Sequence, residues 1–216
     1  MKYLLILSCL LFTSVGWSQD VNIDDLVKRD GLYYEKYSDV PFTGNVIGQQ
    51  QGKISKGIQN GEWIEYWDNG QLKLKGNVKN GKEEGEFLWY YENGQLEGKR
   101  NYKNGKVEGE YLKYYENGPL KYKENYKDDK EEGEWLNYYE NGQLKIKGNY
   151  IDGKQEGEWL YYYDNGQLQF KSNYKDGKKD GETFWYKENG KLIKTEIWKD
   201  NKLIETIKPL EHLPKD

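Results

Sequence analysis

The sequence contains no alanine, one cysteine and one histidine among 216 residues. Alanine is the strongest helix former and glycine among the weakest, so a chain with 25 glycines and no alanine should contain little helix. The cysteine, Cys9, lies in the first segment, and the histidine, His212, lies close to the last residue. Neither a Ser-His-Asp nor a Cys-His arrangement can therefore be assembled in the long stretch of chain between Cys9 and His212. This scarcity argues against nucleophilic catalysis, against an enzyme in general, and against a metal site held by cysteine.

The chain combines high charge with a high aromatic content. Charged residues make up 32% and aromatic residues 16% of the sequence, and the mean hydropathy is -1.12. Disordered segments are equally polar but poor in aromatics. The 21 tyrosines and 8 tryptophans therefore indicate an ordered fold built from strand and turn formers.

Residues 1–18 are typical of a secretory signal peptide. A basic residue precedes an apolar run, and small residues occupy the -3 and -1 positions of a cleavage site after Ser18. We expect cleavage near Ser18 or Gln19, and hence a protein exported to the periplasm, the cell envelope or the medium. The alternative is a lipoprotein anchor at Cys9. No other segment approaches the roughly 20 apolar residues of a transmembrane helix.

Charge is mild and evenly distributed. Removal of Lys2 with the leader reduces 33 basic residues to 32, against 37 acidic residues, a net charge of about -5. No basic stripe or acidic tail emerges. A nucleic-acid partner is therefore not expected.

A repeat of 24 residues organises the chain. One glycine recurs without a slip at Gly61, Gly85, Gly109, Gly133, Gly157 and Gly181. An Asn-Gly dipeptide recurs at Asn69, Asn93, Asn117, Asn141, Asn165 and Asn189. Six units therefore occupy residues 61–204, after a degenerate N-terminal repeat or cap at 19–60 and before a C-terminal tail at 205–216.

Each unit has two turn signals separated by Tyr- and Leu-rich runs, which is hairpin spacing. A three-residue turn over 164–166, with glycine in the left-handed region, pairs Tyr162 with Leu168 and Leu160 with Phe170. A two-residue Asn-Gly turn would separate these apolar positions onto different faces. We therefore predict the three-residue turn.

The same geometry is predicted for the turn at 175–177. One face then carries Leu160, Tyr162, Leu168, Phe170 and Tyr174 and is the predicted packing face. The opposite, exposed face carries Trp159, Tyr161, Tyr163, Lys171 and Asn173. Twelve strands about 4.8 Å apart give a sheet about 58 Å long, which should twist or coil. The predicted fold class is all-β, an elongated repeat protein of antiparallel β-hairpins in a twisted single sheet.

Both ends depart from the repeat. Residues 32–34 and 42–47 resemble the strands of a degenerate opening hairpin, and 49–52 a loop. Near the other end, the apolar residues Ile193, Ile197, Trp198 and Ile204 replace polar residues of the repeat. They predict an apolar closing cap, because a terminal repeat must shield the edge that inner repeats bury.

Residues 152–168 read Asp-Gly-Lys-x-x-Gly-Glu-Trp-x-x-Tyr-Tyr-x-Asn-Gly-Gln-Leu, which resembles the variant MORN repeat (membrane occupation and recognition nexus). Residues 41–44, Pro-Phe-Thr-Gly, resemble the opening segment of bacterial members. The resemblance implies β-hairpin repeats in an elongated sheet that serve in protein binding, lipid association or scaffolding. Many similar bacterial members carry an antitoxin-like label, so an antitoxin or immunity role is one hypothesis.

The candidate binding residues are two aromatic rows on the predicted exposed face. They are Trp63, Phe87, Trp135 and Trp159, and Trp67, Tyr91, Tyr115, Tyr139 and Tyr163. Tyr and Trp are enriched at recognition hot spots, although stacked aromatics also stabilise sheets. We expect a protein partner, with lipid headgroups or glycans as the alternative. No cofactor or metal is expected.

Overall fold

The computed structural model of the protein describes residues 19–209. The predicted signal peptide at 1–18, which includes Ser18 and Cys9, lies outside the described residues, as does the segment 210–216. Strands and turns build the described chain, together with one short 3-10 helix, η1 (Ile23–Asp25). The predicted all-β class is confirmed.

Five short strands precede the repeats. They are β1 (Gln19–Asn22), β2 (Leu26–Arg29), β3 (Leu32–Glu35), β4 (Gly44–Ile47) and β5 (Gln50–Ser55). β2 and β3 form a separate antiparallel pair, while β1 lies parallel to β4 and β4 antiparallel to β5. Two predictions are wrong here. Residues 32–34 pair mainly with β2, because Asp30 and Gly31 form a tight turn with φ of +49° and +82°, and their contact with the predicted partner strand is limited to a bridge between Tyr34 and Pro41 and a bond from the Phe42 N–H to the Tyr33 carbonyl. Most of the predicted loop at 49–52 belongs to β5.

The repeats form antiparallel hairpins whose consecutive strands pair in chain order. Glu84 interrupts one strand between β8 and β9, and Glu132 interrupts another between β13 and β14. The strands are β6 (Ile58–Tyr66), β7 (Leu72–Lys79), β8 (Lys82–Glu83), β9 (Gly85–Tyr90), β10 (Leu96–Lys103), β11 (Lys106–Tyr114), β12 (Leu120–Lys127), β13 (Lys130–Glu131), β14 (Gly133–Tyr138), β15 (Leu144–Ile151), β16 (Lys154–Tyr162), β17 (Leu168–Lys175), β18 (Lys178–Tyr186), β19 (Leu192–Lys199) and β20 (Lys202–Ile207). With β1, β4 and β5 they make one large, mostly antiparallel sheet.

The Asn-Gly turns have the predicted three-residue geometry. In the fifth hairpin, the Tyr163 N–H donates to the Gln167 carbonyl at 2.8 Å, and the Gly166 N–H donates to the Tyr163 carbonyl at 3.0 Å. Gly166 has a φ of +82°, the left-handed conformation that glycine adopts most readily. Tyr162 consequently faces Leu168, as predicted.

The turns at the other end of the hairpins are tighter than predicted. Lys175 pairs directly with Lys178, which leaves only Asp176 and Gly177 in the turn. Both have positive φ, +51° and +78°, as a type I′ turn requires. This turn matches the right-handed twist of the flanking strands. The prediction of a three-residue turn at 175–177 is wrong.

A bulge at Gln169 changes the faces of the sheet. Tyr162 pairs with Leu168, but Tyr161 pairs with Phe170, so Gln169 has no counterpart. Equivalent register shifts occur in every hairpin. The predicted pairing of Leu160 with Phe170 is therefore wrong, since an extra residue on one strand reverses the faces of all residues beyond it.

Two faces result, named here from the fifth hairpin. The variable face carries Trp159, Tyr161, Phe170, Ser172 and Tyr174 and their equivalents. The ladder face carries Glu158, Leu160, Tyr162, Leu168, Lys171 and Asn173 and their equivalents. Phe170 and Tyr174 were thus predicted on the wrong side of the sheet, as were Lys171 and Asn173.

The core lies on the variable face. The buried side chains of the repeats include Trp63, Phe87, Trp159, Ser172 and Thr183. At the N-terminal end, Leu26, Phe42, Val46 and Ile54 join Trp63, Val78 and Phe87 in one cluster. The strands before the repeats therefore pack against the first two hairpins.

The C-terminal end remains open within the described residues. β20 pairs with β19, and every residue of β20 is exposed. Ile193 is 40% exposed and Ile204 63%, so the predicted apolar closing cap does not form. The predicted tail also begins too early, because Glu205–Ile207 belong to β20.

Candidate binding surface

The row of Trp67, Tyr91, Tyr115, Tyr139 and Tyr163 joins neighbouring hairpins. Each tyrosine hydroxyl donates to the main-chain carbonyl of the tyrosine 23 residues later, and the Trp67 indole does the same. The acceptors and distances are Tyr90 at 2.9 Å, Tyr114 at 2.8 Å, Tyr138 at 2.8 Å, Tyr162 at 2.7 Å and Tyr186 at 2.9 Å. Burial raises the pKa of Tyr91, Tyr115 and Tyr139. This predicted binding row therefore has a structural role in linking the repeats.

The turn asparagines add a second link. Asn69 accepts from the Gln71 N–H at 2.9 Å and donates to the Glu92 carbonyl of the next hairpin at 2.8 Å. Asn93, Asn141 and Asn165 repeat both contacts. In the third hairpin the residue two positions after the asparagine is Pro119, which has no N–H to donate. These asparagines thus recur because they bond one hairpin to the next.

Lysines and glutamates alternate along the ladder face. Their ion pairs are Lys75 with Glu62 at 2.8 Å, Lys99 with Glu86 at 3.9 Å, Lys123 with Glu110 at 2.6 Å, Lys147 with Glu134 at 2.8 Å and Lys171 with Glu158 at 3.3 Å. Each lysine is matched by one acid, so the row carries little net charge. In the sixth hairpin Thr195 replaces the lysine.

The other predicted binding row is largely inside the protein. Trp63 is 4% exposed, Phe87 5% and Trp159 2%. Trp135 is half-buried, and its indole N–H donates to Glu124 at 2.8 Å. The prediction that this row lies on an exposed face is wrong, because the Gln169-type bulges bring residues such as Phe170 and Tyr174 onto the same face, where neighbouring rings cover the row.

The side chain at this position of every unit, including Tyr111 and Thr183, meets a matching residue eleven positions earlier, on the adjacent strand. Gly52, Gly76 and Gly148 lie directly under the rings of Trp63, Phe87 and Trp159, where a Cβ atom would overlap the ring. The other pairs use polar contacts: Arg100 stacks on Tyr111, Glu124 accepts from Trp135, and Ser172 bonds to Thr183 at 2.6 Å. The two residues of each pair are therefore matched in size and chemistry across the boundary between neighbouring hairpins.

The MORN repeat variant family matches six segments, at residues 59–80, 83–104, 107–128, 131–152, 155–176 and 179–200. Together they cover more than half of the chain. The chain belongs to this family. Each matched segment corresponds to one hairpin around an Asn-Gly turn, so the MORN unit and the structural hairpin coincide. No match to a curated protein was found.

The six MORN hairpins differ from one another mainly on the variable face. Beside the buried row lie two rows, half-exposed except at the buried Gly98, that sequence reasoning did not select. One contains Glu65, Trp89, Lys113, Asn137, Tyr161 and Trp185, and the other Leu74, Gly98, Tyr122, Ile146, Phe170 and Lys194. Tyr161, Phe170 and Trp185 stack with ring centroids 4.0 and 4.5 Å apart. The residue types at these positions change at every MORN unit. The change is visible in the sequence, but these positions could not be assigned to one face without knowledge of the bulges.

One carboxylate of the last MORN hairpin is buried. Glu196 is 7% exposed and accepts hydrogen bonds from Lys194 at 2.6 Å and Trp185 at 3.0 Å. Burial by itself raises the pKa of Glu196, but these hydrogen bonds and the Lys194 charge outweigh it and hold the pKa below its usual value. The arrangement stabilises a charged side chain and leaves no free base.

Two kinds of site are absent from residues 19–209, a metal-binding cluster and a transmembrane helix. No group of three or more metal-binding side chains gathers in this part of the chain. A helix with the length and apolarity to cross a membrane is also absent from it.

Proposed function

We propose that the protein is a non-enzymatic, exported binding or scaffold protein that presents its variable face to a partner protein. MORN repeats are generally binding and scaffold modules. The single observation that carries the proposal is the contrast between the two faces. Positions that recur in five or six of the hairpins form turns, inter-hairpin hydrogen bonds and ion pairs, whereas the variable face changes from hairpin to hairpin.

This contrast favours a recognition surface over a purely structural one. A sheet that needed only stability could repeat one solution six times, as the ladder face nearly does. The variable face instead mixes Trp89, Lys113, Asn137 and Tyr161 in one row. A row of distinct aromatic, charged and amide groups can be complementary to one particular protein surface.

The ladder face supports the lipid alternative less well. Attraction to anionic headgroups requires excess positive charge, but its lysines lie against glutamates. Lipid or glycan binding is therefore an outcome that the experiment must be able to reveal. The same holds for an antitoxin role, which requires a toxin as the captured partner.

The experiment uses one substitution on both faces of the same hairpin. Asn137 lies on the variable face and Asn149 on the ladder face, and both are half-buried. Partners captured from envelope extract are identified by mass spectrometry, purified and titrated against wild type, Asn137→Arg and Asn149→Arg. We expect Asn137→Arg to weaken binding by about tenfold or more, as at an interface hot spot, and Asn149→Arg to have little effect.

The reverse pattern would contradict the assignment to the variable face. Circular dichroism of both variants controls for folding. A different outcome is that no protein partner is captured, and that the protein binds anionic vesicles or a glycan array equally well with and without Asn137→Arg. The lipid or glycan alternative would then replace the proposal.

A further inference from the structure

The second hairpin has a gap in the variable face that the other hairpins fill. Gly98 stands in the row where the others have Leu74, Tyr122, Ile146, Phe170 and Lys194. It pairs with Trp89 on one side and Lys113 on the other. The resulting notch has a volume of about 280 Å³ and is lined by Trp89, Glu97, Gly98, Arg100, Tyr111 and Lys113.

Glycine also brings the floor of this notch close to the adjacent strand. A Cβ atom at Gly98 would lie 2.9 Å from the Leu112 carbonyl oxygen, nearer than Cβ atoms normally approach. The main chain itself therefore forms the floor, with side chains only around its rim.

Arg100 contributes a guanidinium group to the lining of the notch. Its guanidinium carbon lies 3.9 Å from the centre of the Tyr111 ring, and its Nε atom is buried with no hydrogen-bond partner. The basic members of the ion pairs within 19–209 are lysines and Arg29, so Arg100 has no carboxylate partner there. The nearby Glu124 is already engaged by Trp135 and by the Tyr126 hydroxyl.

The remaining charges of the notch nearly cancel. Lys113 and Glu97 form an ion pair at 3.2 Å on its rim. The site therefore carries about one excess positive charge, that of Arg100. Partial burial of a guanidinium group without a carboxylate partner is costly, and a planar carboxylate matches the guanidinium fork.

We propose that this notch binds a carboxylate side chain of the partner protein. Arg100 donates to the carboxylate, and the Trp89 indole packs against the methylene stem. This inference rests on the proposed function, because the notch lies within the variable face. Its continuity with the neighbouring rows favours a side chain of a docked protein, whose other residues contact those rows, over a free acidic sugar.

The side-chain Nε–H resonance of Arg100 reports on the site directly. The full protein is titrated with N-acetylglutamate α-amide and, as a neutral probe, N-acetylglutamine α-amide, using ¹H–¹⁵N spectra. We expect a saturable downfield shift of the Arg100 resonance with the glutamate probe and none with the glutamine probe. The glutamate response of the main-chain amides around Gly98 should disappear in Arg100→Gln.

Glu97→Gln provides a test that requires no disruption of the core. Removing the rim carboxylate leaves Lys113 free and should tighten binding of the glutamate probe by about tenfold, the effect of removing one nearby like charge. Glu158→Gln is the matched control, because it makes the same change in net charge at an ion pair of the ladder face. It should leave the affinity unchanged.

Three results would overturn the inference: an equal response to both probes, equal effects of Glu97→Gln and Glu158→Gln, or tighter binding of glucuronate than of the glutamate probe. The last would assign the notch to an acidic sugar. If one of these results is obtained while Asn137→Arg still weakens binding of the partner, only the notch is removed. Binding of glutamate without any effect of Asn137→Arg removes the proposed interface instead.

Discussion

The matched pairs eleven residues apart make a quantitative prediction at Gly148 and Trp159. The Trp159 ring lies across Gly148 and is enclosed by Trp135 and Tyr150, with ring centroids at 5.6 and 5.2 Å. Gly148→Ser should force the ring out of place and lower the free energy of unfolding by about 1–3 kcal/mol. Trp159→Thr should lower it by about 3–5 kcal/mol through loss of buried contacts.

The double variant copies the Ser172–Thr183 pair of the next hairpin boundary. Its serine no longer meets a ring and can bond to the threonine, as Ser172 does at 2.6 Å. The double variant should therefore be more stable than the sum of the two single changes predicts, by about 2 kcal/mol.

Urea unfolding followed by far-UV circular dichroism measures this coupling without relying on tryptophan emission. The control combines Gly148→Ser with Trp63→Thr, seven strands away, roughly 34 Å at about 4.8 Å per strand. Those two changes should add within about 0.5 kcal/mol. Additivity in the Gly148–Trp159 pair as well would refute the idea that residues are matched across hairpin boundaries.

Three further predictions follow from the contacts. Tyr139→Phe removes the hydroxyl that bonds to the Tyr162 carbonyl and should lower the free energy of unfolding by about 1 kcal/mol in urea unfolding. Tyr162→Phe retains that carbonyl and should cost less; an equal cost would disprove the link. The pKa of Glu196 is lowered in the folded state, so its stabilisation is present above the unfolded pKa and is lost as pH falls through the folded pKa. Glu196→Gln should therefore reduce the acid dependence of stability below about pH 4.5, and an unchanged profile would contradict this. Lys147→Gln should lower the free energy of unfolding by less than about 1 kcal/mol, since its ion pair is exposed, and a larger loss that persists in high salt would show that the ladder is a major source of stability.

Features governed by local sequence could be predicted. The 24-residue period, the hairpins and the three-residue turn at 164–166 follow from glycine and asparagine, whose conformational preferences act within a few residues. The strand pairing beside Asp30 and Gly31 had a local signal too, and an Asp-Gly pair between short apolar runs could have identified it.

The faces of the sheet could not be predicted in the same way. The bulge at Gln169 depends on how two strands pair, and one unpaired residue moved Phe170 and Lys171 to opposite sides from those predicted. The hydroxyl of Tyr139 has its acceptor 23 residues away in the main chain, which no side-chain pattern reveals. A search for small residues eleven positions before large rings would have indicated that Trp159 is buried.

The matched pairs also constrain how such a chain can change length. Each pair spans two hairpins, so removal of the 24 residues 105–128, from one tight turn to the next, would place Arg100 against Trp135. Removal of residues 94–117, between two Asn-Gly turns, would delete Arg100 and Tyr111 together and leave every other pair intact. The unit that can be duplicated or lost without mismatch is therefore offset by half a period from the hairpin. Insertions and deletions that survive should begin and end at the Asn-Gly turns.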